Sequence, residues 1–371
     1  MLALNLRIAV GEIPPVLSDL PLNDLARSIL VAIPVLCFAA AAFAGPPLSR
    51  RIGEERGLLI MCGALCVGLV MRPWWGAAYL FAGTVVCGLS IAVMNVMMPS
   101  VIRRRFAGHL GELTAAYTMS LSVGAGLAAG LTVPLVGLLG TVPPALAVWA
   151  VPAVLAFVLW VPQLRRPRPA PRAAGSSSGV LRDAHAWHIT LYFGLQSALY
   201  YTVVSWLPTI YRDQGTSPVA AGAVLGVLST VGIIGNFAAP MLAQRSGRAR
   251  EMVAVTGLMS AIGLLGVLLY PTLLPLLWAT LLGVGTGGAF SLTLLLMAAR
   301  AHDSAVAAQL AGMAQGVGYM ISALGPLSAG LLHSAFGGWT IPLALTLCVC
   351  AAQVAIGLQA ARPGVVGASD A

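Results

Sequence analysis

The chain has 371 residues, of which 59% are hydrophobic and only 8% are charged, and its mean hydropathy is +0.92. Soluble domains carry about 25% charged residues, so a water-soluble core could not hide this much apolar surface. The long runs rich in Leu, Ala and Gly are unlike the short alternating segments of a membrane β-barrel, and membrane helices need roughly 20 apolar residues each. The composition therefore predicts an all-α integral membrane protein.

In chain order, the apolar runs predict twelve spans and one polar connector. The predicted spans are 1–18, 28–48, 57–71, 75–99, 111–136, 143–162, 186–208, 217–243, 252–270, 273–299, 304–332 and 339–361. We therefore expect an N-terminal six-helix half over 1–162 and a C-terminal six-helix half over 186–361. The basic segment rich in Pro, Ser and Gly between them predicts a cytoplasmic linker over 163–185, and 362–371 is a cytoplasmic tail.

The placement of arginine tests this topology. All 20 basic residues are arginines, and with a cytoplasmic N-terminus 16 of them fall in inner loops while Arg27, Arg72 and Arg212 fall in outer loops. Because inner loops carry the excess positive charge, the pattern predicts a multi-pass protein of the cytoplasmic membrane with both termini cytoplasmic. These arginines lie in loops that face the lipid bilayer, which accounts for the net charge of +9, so the charge does not indicate nucleic-acid binding.

The two halves share a basic loop. GPPLSRRIGEER follows the second span (45–56) and PMLAQRSGRARE follows the eighth (240–251), about half the chain later. Two six-helix halves in parallel repeat are typical of major facilitator secondary transporters. Arg50, Arg245 and Gly247 are therefore predicted to belong to a loop that acts in conformational change. Ordinary basic inner loops are the alternative.

Five collinear stretches resemble one transporter group more closely. They are ALNLR…PPVL (3–17), NVMMPSVIRRRF (95–106), YTMSLSVGAGLAAGLTVPL (117–135), FGLQSALYYTVVSWLPTIYRDQG (193–215) and GMAQGVGYMISALGPLSAGLLHSAFGGWTIPL (312–343). Together they resemble the cyanate/2-nitroimidazole permease group of the major facilitator superfamily, from residue 3 to about 361. The resemblance implies the major facilitator fold of two six-helix bundles and favours no single substrate. That group's first span is longer before ALNLR, so we expect residues preceding Met1 to complete it and to place Arg7 near mid-membrane.

Arg7 is the chief charged residue inside a predicted span. Such residues are costly in a membrane and mark function by default. A guanidinium is permanently charged and offers five donors, which suits a small planar or trigonal anion. An arginine that reaches to the membrane interface is the alternative. Asn5 is grouped with Arg7 as a substrate-binding candidate, although it faces another side and could brace a neighbouring helix.

Uncharged polar residues predict the rest of the cavity. A Gln-x-x-x-Tyr spacing recurs in the seventh and eleventh spans and puts each pair on one helix face. These candidates for substrate binding are Gln196, Tyr200, Gln315 and Tyr319, with Tyr117 of the fifth span beside them. Hydrogen bonding between helices without substrate contact is the alternative. The candidates for coupling or gating are Glu12, Asn95 and Asn236; for Glu12 a plain position at the outer surface is the alternative.

These residues predict a secondary active transporter that moves a small anion or a small polar heterocycle, cyanate-like or nitroimidazole-like, by alternating access. A proton is the coupling ion that Glu12 would carry. The spans lack a mid-helix carboxylate elsewhere, which disfavours organic cations as substrates. The alternatives are an exporter of hydrophobic drugs and a membrane receptor or partner subunit that does not transport. The six cysteines lie in apolar runs without further ligands nearby, so we expect no metal site, no cofactor and no enzymatic activity.

Overall fold

The computed structural model describes residues 1–105, 110–162, 180–302 and 304–366; within these, only the backbone is described for 43–51, 99–100, 103–105, 110–115 and 304–305. Regular structure in this part is helical, apart from one isolated parallel bridge between Ala301 and Val366. The helices are α1 Leu2–Gly11, α2 Asp24–Ile52, α3 Glu54–Met71, α4 Ala77–Arg105, α5 Leu110–Leu139, α6 Val142–Ala147, α7 Ala150–Trp160, α8 Ala184–Asp213, α9 Pro218–Ser246, α10 Ala249–Leu269, α11 Pro275–Ala299, α12 Ser304–Phe336 and α13 Thr340–Ala360.

The first predicted span is a short helix followed by a tighter turn. α1 ends at Gly11, and Pro14–Asp19 form a 3-10 helix. Pro14 and Pro15 lack backbone N–H groups, so they cannot continue the α-helical hydrogen-bond ladder. The sixth predicted span is also divided, into α6 and α7, and at the break the Trp149 indole Nε1 donates to Thr132 Oγ1 of α5 at 3.0 Å.

Eight stretches of the described chain are long and apolar enough to cross a membrane: Asp24–Ala42, Ala77–Met98, Ala116–Leu139, Val142–Trp160, Pro218–Ser246, Ala249–Leu269, Pro275–Ala299 and Thr340–Ala360. The helices outside this set are α1, α3, α8 and α12. α1 has ten residues, and α3 begins with Glu54, Glu55 and Arg56. α8 and α12 carry the glutamines and tyrosines of the predicted site.

The chain divides into two compact units. The first unit comprises Met1–Pro171 and Trp206–Thr230, and the second comprises Arg172–Ser205 and Val231–Ala371. The C-terminal end of α8 and the N-terminal half of α9 therefore belong to the first unit. The domain boundaries predicted from the sequence divide the chain at its linker instead, and they stay a prediction.

Small residues set the helix spacing inside each unit. In the first unit, a Cβ at Gly124 of α5 would collide with the Leu4 carbonyl oxygen of α1. In the second unit, a Cβ at Gly235 of α9 would collide with the Val284 carbonyl oxygen of α11. Glycine at such positions lets helix backbones approach closely, which is how membrane helices gain packing energy.

A core of the second unit is built mainly on α8, α11 and α12. Tyr192 and Phe193 of α8 are buried there with Ala289 and Leu292 of α11. Phe193 lies edge-on to Tyr319 of α12, with ring centroids 5.1 Å apart. Tyr319, one of the predicted site residues of α12, packs against this core.

Candidate functional site

Arg7 lies on α1 in the first unit, where it is half-buried. Its positive charge is near enough to the Tyr117 hydroxyl of α5 to act on it. Tyr117 in turn donates a hydrogen bond to Asn95 Oδ1 of α4 at 2.8 Å. Three residues predicted separately for binding and gating are therefore brought together by three helices of one unit.

This cluster of Arg7, Tyr117 and Asn95, which we call the Arg7 cluster, combines one fixed cation with two hydrogen-bonding groups. A cavity of about 290 Å³ lies beside it; its walls include Tyr117 and Ser120 of α5, Met98 of α4 and Trp160 of α7. The cavity walls are mostly apolar, and Tyr117 and Ser120 are the hydroxyl-bearing residues among them. A cation beside an apolar cavity can bind a small anion, and the lone pairs of the Tyr117 oxygen can accept a hydrogen bond from a polar ring.

Asn5 points away from this cluster. Its side chain is buried, and Nδ2 donates to the Met1 carbonyl at 3.1 Å and to the Pro152 carbonyl of α7 at 3.0 Å. These bonds tie α1 to α7, which is the bracing contact that the sequence allowed as its alternative.

Glu12 forms an ion pair with Arg72, and both side chains are fully buried. Glu12 directly follows the last residue of α1, and Arg72 directly follows the last residue of α3. Arg72 Nη1 also donates to the Ala9 carbonyl in the last turn of α1 at 3.1 Å. Arg72 lies in the turn that follows α3, where the sequence predicts a loop, but its side chain is buried, since the residue is 1% exposed.

Gln196 is buried in the second unit. Its Nε2 donates to Ser197 Oγ at 2.7 Å, while Oε1 has no hydrogen-bond partner among the described residues. Tyr200 is one turn further along α8 and is half-buried; its ring lies 5.2 Å from that of Tyr201. Tyr201 in turn lies 6.4 Å from Tyr319 of α12. Gln196 is thus on a helix whose aromatic residues meet α12.

Gln315 and Asn236 are less closely tied to this group. Gln315 is half-buried on α12, one turn before Tyr319. Asn236 is half-buried on α9, and its Oδ1 has no hydrogen-bond partner within the described part of the chain.

Each of the two basic loops contains a glycine with a positive φ. α2 ends at Ile52 and α3 begins at Glu54, with Gly53 between them at φ +82°. α9 ends at Ser246, and Gly247 follows at φ +69° before α10 begins. Arg245 is exposed, and the side chain of Arg50 lies outside the residues whose side chains are described. Only glycine adopts this left-handed conformation at little cost, so each loop needs its glycine.

A second ion pair in the first unit was not predicted. Arg212, at the end of α8, donates to both carboxylate oxygens of Asp19, at 2.8 and 2.5 Å. A further bond of 3.4 Å runs from Arg212 Nη1 to the Pro15 carbonyl. The Pro14–Asp19 segment is thus held by a residue 193 positions away from Asp19 in the chain.

A signal for the Glu12–Arg72 pair was present in the sequence. Glu12 is the one carboxylate in the outer part of the predicted first span, and Arg72 follows the outer end of the predicted third span. Opposite charges at one depth of a bundle favour pairing, because either charge alone is costly there.

A family model described as Major Facilitator Superfamily matches residues 1–323 of the chain. The chain belongs to the Major Facilitator Superfamily. It is 34% identical to the "Uncharacterized transporter YycB" of Bacillus subtilis (strain 168), and the alignment covers all of this chain and 94% of that protein.

Two relatives carry substrate names. The 2-nitroimidazole transporter of Escherichia coli (strain K12) is 32% identical over 98% of this facilitator and 94% of that protein. The cyanate transport protein CynX of the same organism is 30% identical over 94% of this facilitator and 92% of that protein. The resemblance to this permease group is confirmed, and the relatives are named as transporters, not enzymes.

Solved structures show the same fold. A bacterial homolog to the human lysosomal transporter Spinster, in an inward-facing and unoccupied conformation, has a TM-score of 0.78 at 15% identity and covers 97% of this facilitator and 94% of that chain. The predicted fold class, an all-α membrane protein with two six-helix bundles, is confirmed. This facilitator is therefore a multi-pass membrane transporter.

Proposed function

We propose that this facilitator moves a small anion or a small polar heterocycle across the cytoplasmic membrane by alternating access, with Arg7 as the electrostatic anchor. The observation that carries the proposal is the Arg7 cluster. In it a permanent cation lies within electrostatic range of Tyr117, which is hydrogen-bonded to Asn95, and the three residues belong to three helices of one unit. The names of two relatives, for 2-nitroimidazole and for cyanate, support the same class of small solute.

The chemistry of the cluster favours a planar ligand. A guanidinium binds through a flat array of donors, so it matches the oxygen or nitrogen atoms of a small conjugated anion. The Tyr117 hydroxyl is oriented by its bond to Asn95, which reduces the entropy lost when a ligand binds. A site for hydrophobic drugs would not need a cation here.

The second unit supports the heterocycle form of the proposal. Gln196 Oε1 is a buried acceptor that no described residue satisfies, on the helix that carries Tyr200 and Tyr201. An unpaired buried acceptor is costly, and a ligand N–H would satisfy it. Aromatic faces add stacking for a flat ring.

The test is ligand-induced thermal stabilisation of the purified full-length protein. The panel contains cyanate, nitrate, small carboxylates, nitroimidazoles and hydrophobic drugs. A ligand at 100 times its Kd adds about 2.7 kcal/mol to the stability of the folded state. We expect stabilisation by an anion in the wild type and its loss in Arg7→Gln. Arg362→Gln is the matched control, since Arg362 is exposed beyond the last helix.

Two outcomes would contradict the anion form. Stabilisation by neutral heterocycles in both the wild type and Arg7→Gln would leave Arg7 as a structural residue. Stabilisation by hydrophobic drugs alone, equal in both proteins, would favour the exporter alternative.

A further inference from the structure

The residues that follow α13 fold back onto the second unit. The sequence predicts a cytoplasmic tail from Arg362 onward. In the structure, however, Val366 is fully buried and belongs to the same core as Val180 and Leu296. We call residues 362–366 the strap. An apolar side chain buried this completely is removed from water, so the strap is docked on the protein.

Backbone hydrogen bonds hold the strap at the junction between α11 and α12. The Val366 N–H donates to the Arg300 carbonyl at 2.7 Å, and the His302 N–H donates to the Val366 carbonyl at 3.2 Å. The Arg300 side chain adds a third bond, from Nη2 to the Ala361 carbonyl at 3.1 Å, directly after α13. The end of α11 is therefore tied to the end of α13.

A histidine at the start of α8 lies against the strap. A Cβ at Gly364 would lie 3.7 Å from His185 Cε1, which is ordinary van der Waals contact. The His185 N–H donates to Asp183 Oδ1 at 2.7 Å, and this bond fixes the first turn of α8. His185 Nε2 is buried and has no hydrogen-bond partner among the described residues. The strap thus covers an imidazole nitrogen that can take up a proton.

Charged and titratable groups approach His185 from several sides. Arg300 comes from the α11–α12 junction, and Asp183 and His188 flank His185 in the chain, the two imidazole rings being 6.4 Å apart. Arg362 of the strap is exposed. Burial lowers the pKa of His185 most, Arg300 and His188 lower it further, and Asp183 acts in the opposite direction. The docked strap therefore favours the neutral imidazole.

We propose that the strap is a pH-sensitive tie at the end of the second unit that the topology predicts to be cytoplasmic, and that a proton on His185 releases it. The proton binds Nε2 and places a second positive charge near Arg300, where the strap limits access of water. A charge that is kept from water is costly, and release of the strap hydrates it. Release also breaks the two backbone bonds to Val366, so the α11–α12 junction is freed. This mechanism does not depend on the transported substrate.

The direction of the response follows from the two states of the strap. At a pH above the ordinary histidine pKa of about 6.5, His185 is neutral in both states and the strap stays docked. Below that pH the released state binds the proton more readily than the docked state, so release becomes more favourable as the pH falls. Between about pH 7.5 and about pH 5.5, the ratio of released to docked strap rises by at most about tenfold.

Amide hydrogen exchange of the full-length protein in lipid nanodiscs, followed by mass spectrometry, tests the tie without a substrate. The peptides that contain the Val366 and His302 N–H groups are measured at both pH values. Each rate is divided by that of the same peptide free in solution, because intrinsic exchange also changes with pH. In the wild type we expect protection of both peptides to fall by up to about tenfold at the lower pH.

Variants of the two neighbouring histidines identify the sensor. In His185→Gln and in His185→Asn, protection should no longer depend on pH. His188→Gln is the matched control and should keep the response, since His188 has the smallest effect of the groups around His185. A pH response in both His185 variants equal to that of the wild type would overturn the role of His185.

A further variant defines the released state. Val366→Asp places a charge at a fully buried position, so the strap should be released at both pH values and the His302 peptide should exchange fast in each. If the wild type at about pH 5.5 moves toward this reference, the proposal is supported. If wild-type Val366 and His302 exchange as fast as in Val366→Asp at both pH values, the strap is not docked and the proposal fails.

Discussion

Tyr117 is the residue through which Arg7 and Asn95 are linked. Its hydroxyl donates to Asn95 Oδ1 and lies near the Arg7 charge. Because the hydroxyl hydrogen is donated to Asn95, Tyr117 acts on an anion only through the order that this bond gives the site. We predict that Tyr117→Phe, which removes the bond, weakens binding of the stabilising anion by about two- to tenfold, since one hydrogen bond is worth about 0.5–1.5 kcal/mol. Isothermal titration measures this, with the exposed Tyr270→Phe as control. Equal affinity in both variants would make Tyr117 a helix-packing residue.

Two buried glutamines in the second unit offer a matched comparison. Gln196 and Gln353 are each 2% exposed, and each has an Oε1 without a hydrogen-bond partner among the described residues. Replacing either with leucine removes an unpaired acceptor, so we expect the unfolding free energy of each variant to stay within about 1 kcal/mol of wild type. Only Gln196→Leu should lose thermal stabilisation by nitroimidazole. Loss in both variants, or in neither, would contradict the role given to Gln196.

For single residues, the sequence identified charged side chains inside apolar runs more readily than it identified which side chains are in contact. Arg7 and Glu12 stand out because a charge in an apolar run is rare. Arg72 did not, because it follows an apolar run and precedes Pro-Trp-Trp, which is also how an exposed loop begins. Its burial depends on the end of α3 lying beside the end of α1, and that contact depends on tertiary packing across 60 residues of chain.

Helix α5 carries two glycines with opposite surroundings. A Cβ at Gly124 would collide with the Leu4 backbone of α1, whereas a Cβ at Gly130 would meet nothing within 4 Å. We predict that Gly124→Ala destabilises the protein by about 1–3 kcal/mol, as expected for overpacking against rigid backbone. Gly130→Ala should be neutral or slightly stabilising, because alanine favours the helix. Thermal unfolding in detergent compares the two, and equal effects would mean that α1 does not pack on α5 this closely.

Element boundaries were predictable where hydropathy and structure change together. The tenth and twelfth spans follow their apolar runs closely. Hydropathy does not detect a change of backbone conformation inside an apolar run. It predicted one continuous first span across Pro14 and Pro15, and one continuous sixth span across the break between α6 and α7. α8 and α12 extend past their predicted ends because a helix can continue into polar surroundings. A helix continues as long as its backbone hydrogen bonds do, whereas hydropathy reports only which residues avoid water. The end of a helix and the end of an apolar run therefore need not coincide.

The whole chain is organised as two halves in sequence and two units in space, and these do not coincide. Trp206–Thr230 follows the linker, yet it belongs to the first unit. Composition predicts the linker, because a basic segment rich in Pro and Ser stands out between apolar runs. It cannot predict that the end of α8 packs with residues from the first half, since that depends on contacts such as Gly222 of α9 against Ala129 of α5.

The Asp19–Arg212 pair is the polar contact that ties these distant segments together within the first unit. It is bidentate and partly exposed, with side-chain exposures of 37% and 18%. Exposed ion pairs contribute about 0.2–1 kcal/mol to stability. Because this pair is bidentate, we expect a contribution in the upper part of that range, and because it is partly exposed, no more than that. We predict that Asp19→Asn or Arg212→Gln speeds amide hydrogen exchange at Val16 and Leu20, whose N–H groups bond within this segment, by up to about fivefold.

Charge exchange separates this pairing from a loss of packing. In the variant Asp19→Arg/Arg212→Asp the two charges are restored in reverse, so exchange at Val16 and Leu20 should return toward the wild-type rate. Salt should reduce the difference between the wild type and the neutralised variants, because a partly exposed pair is screened. If the reversed pair exchanges as fast as the single variants, the ion pair does not hold the segment, and the Arg212 bond to the Pro15 carbonyl is the contact that does.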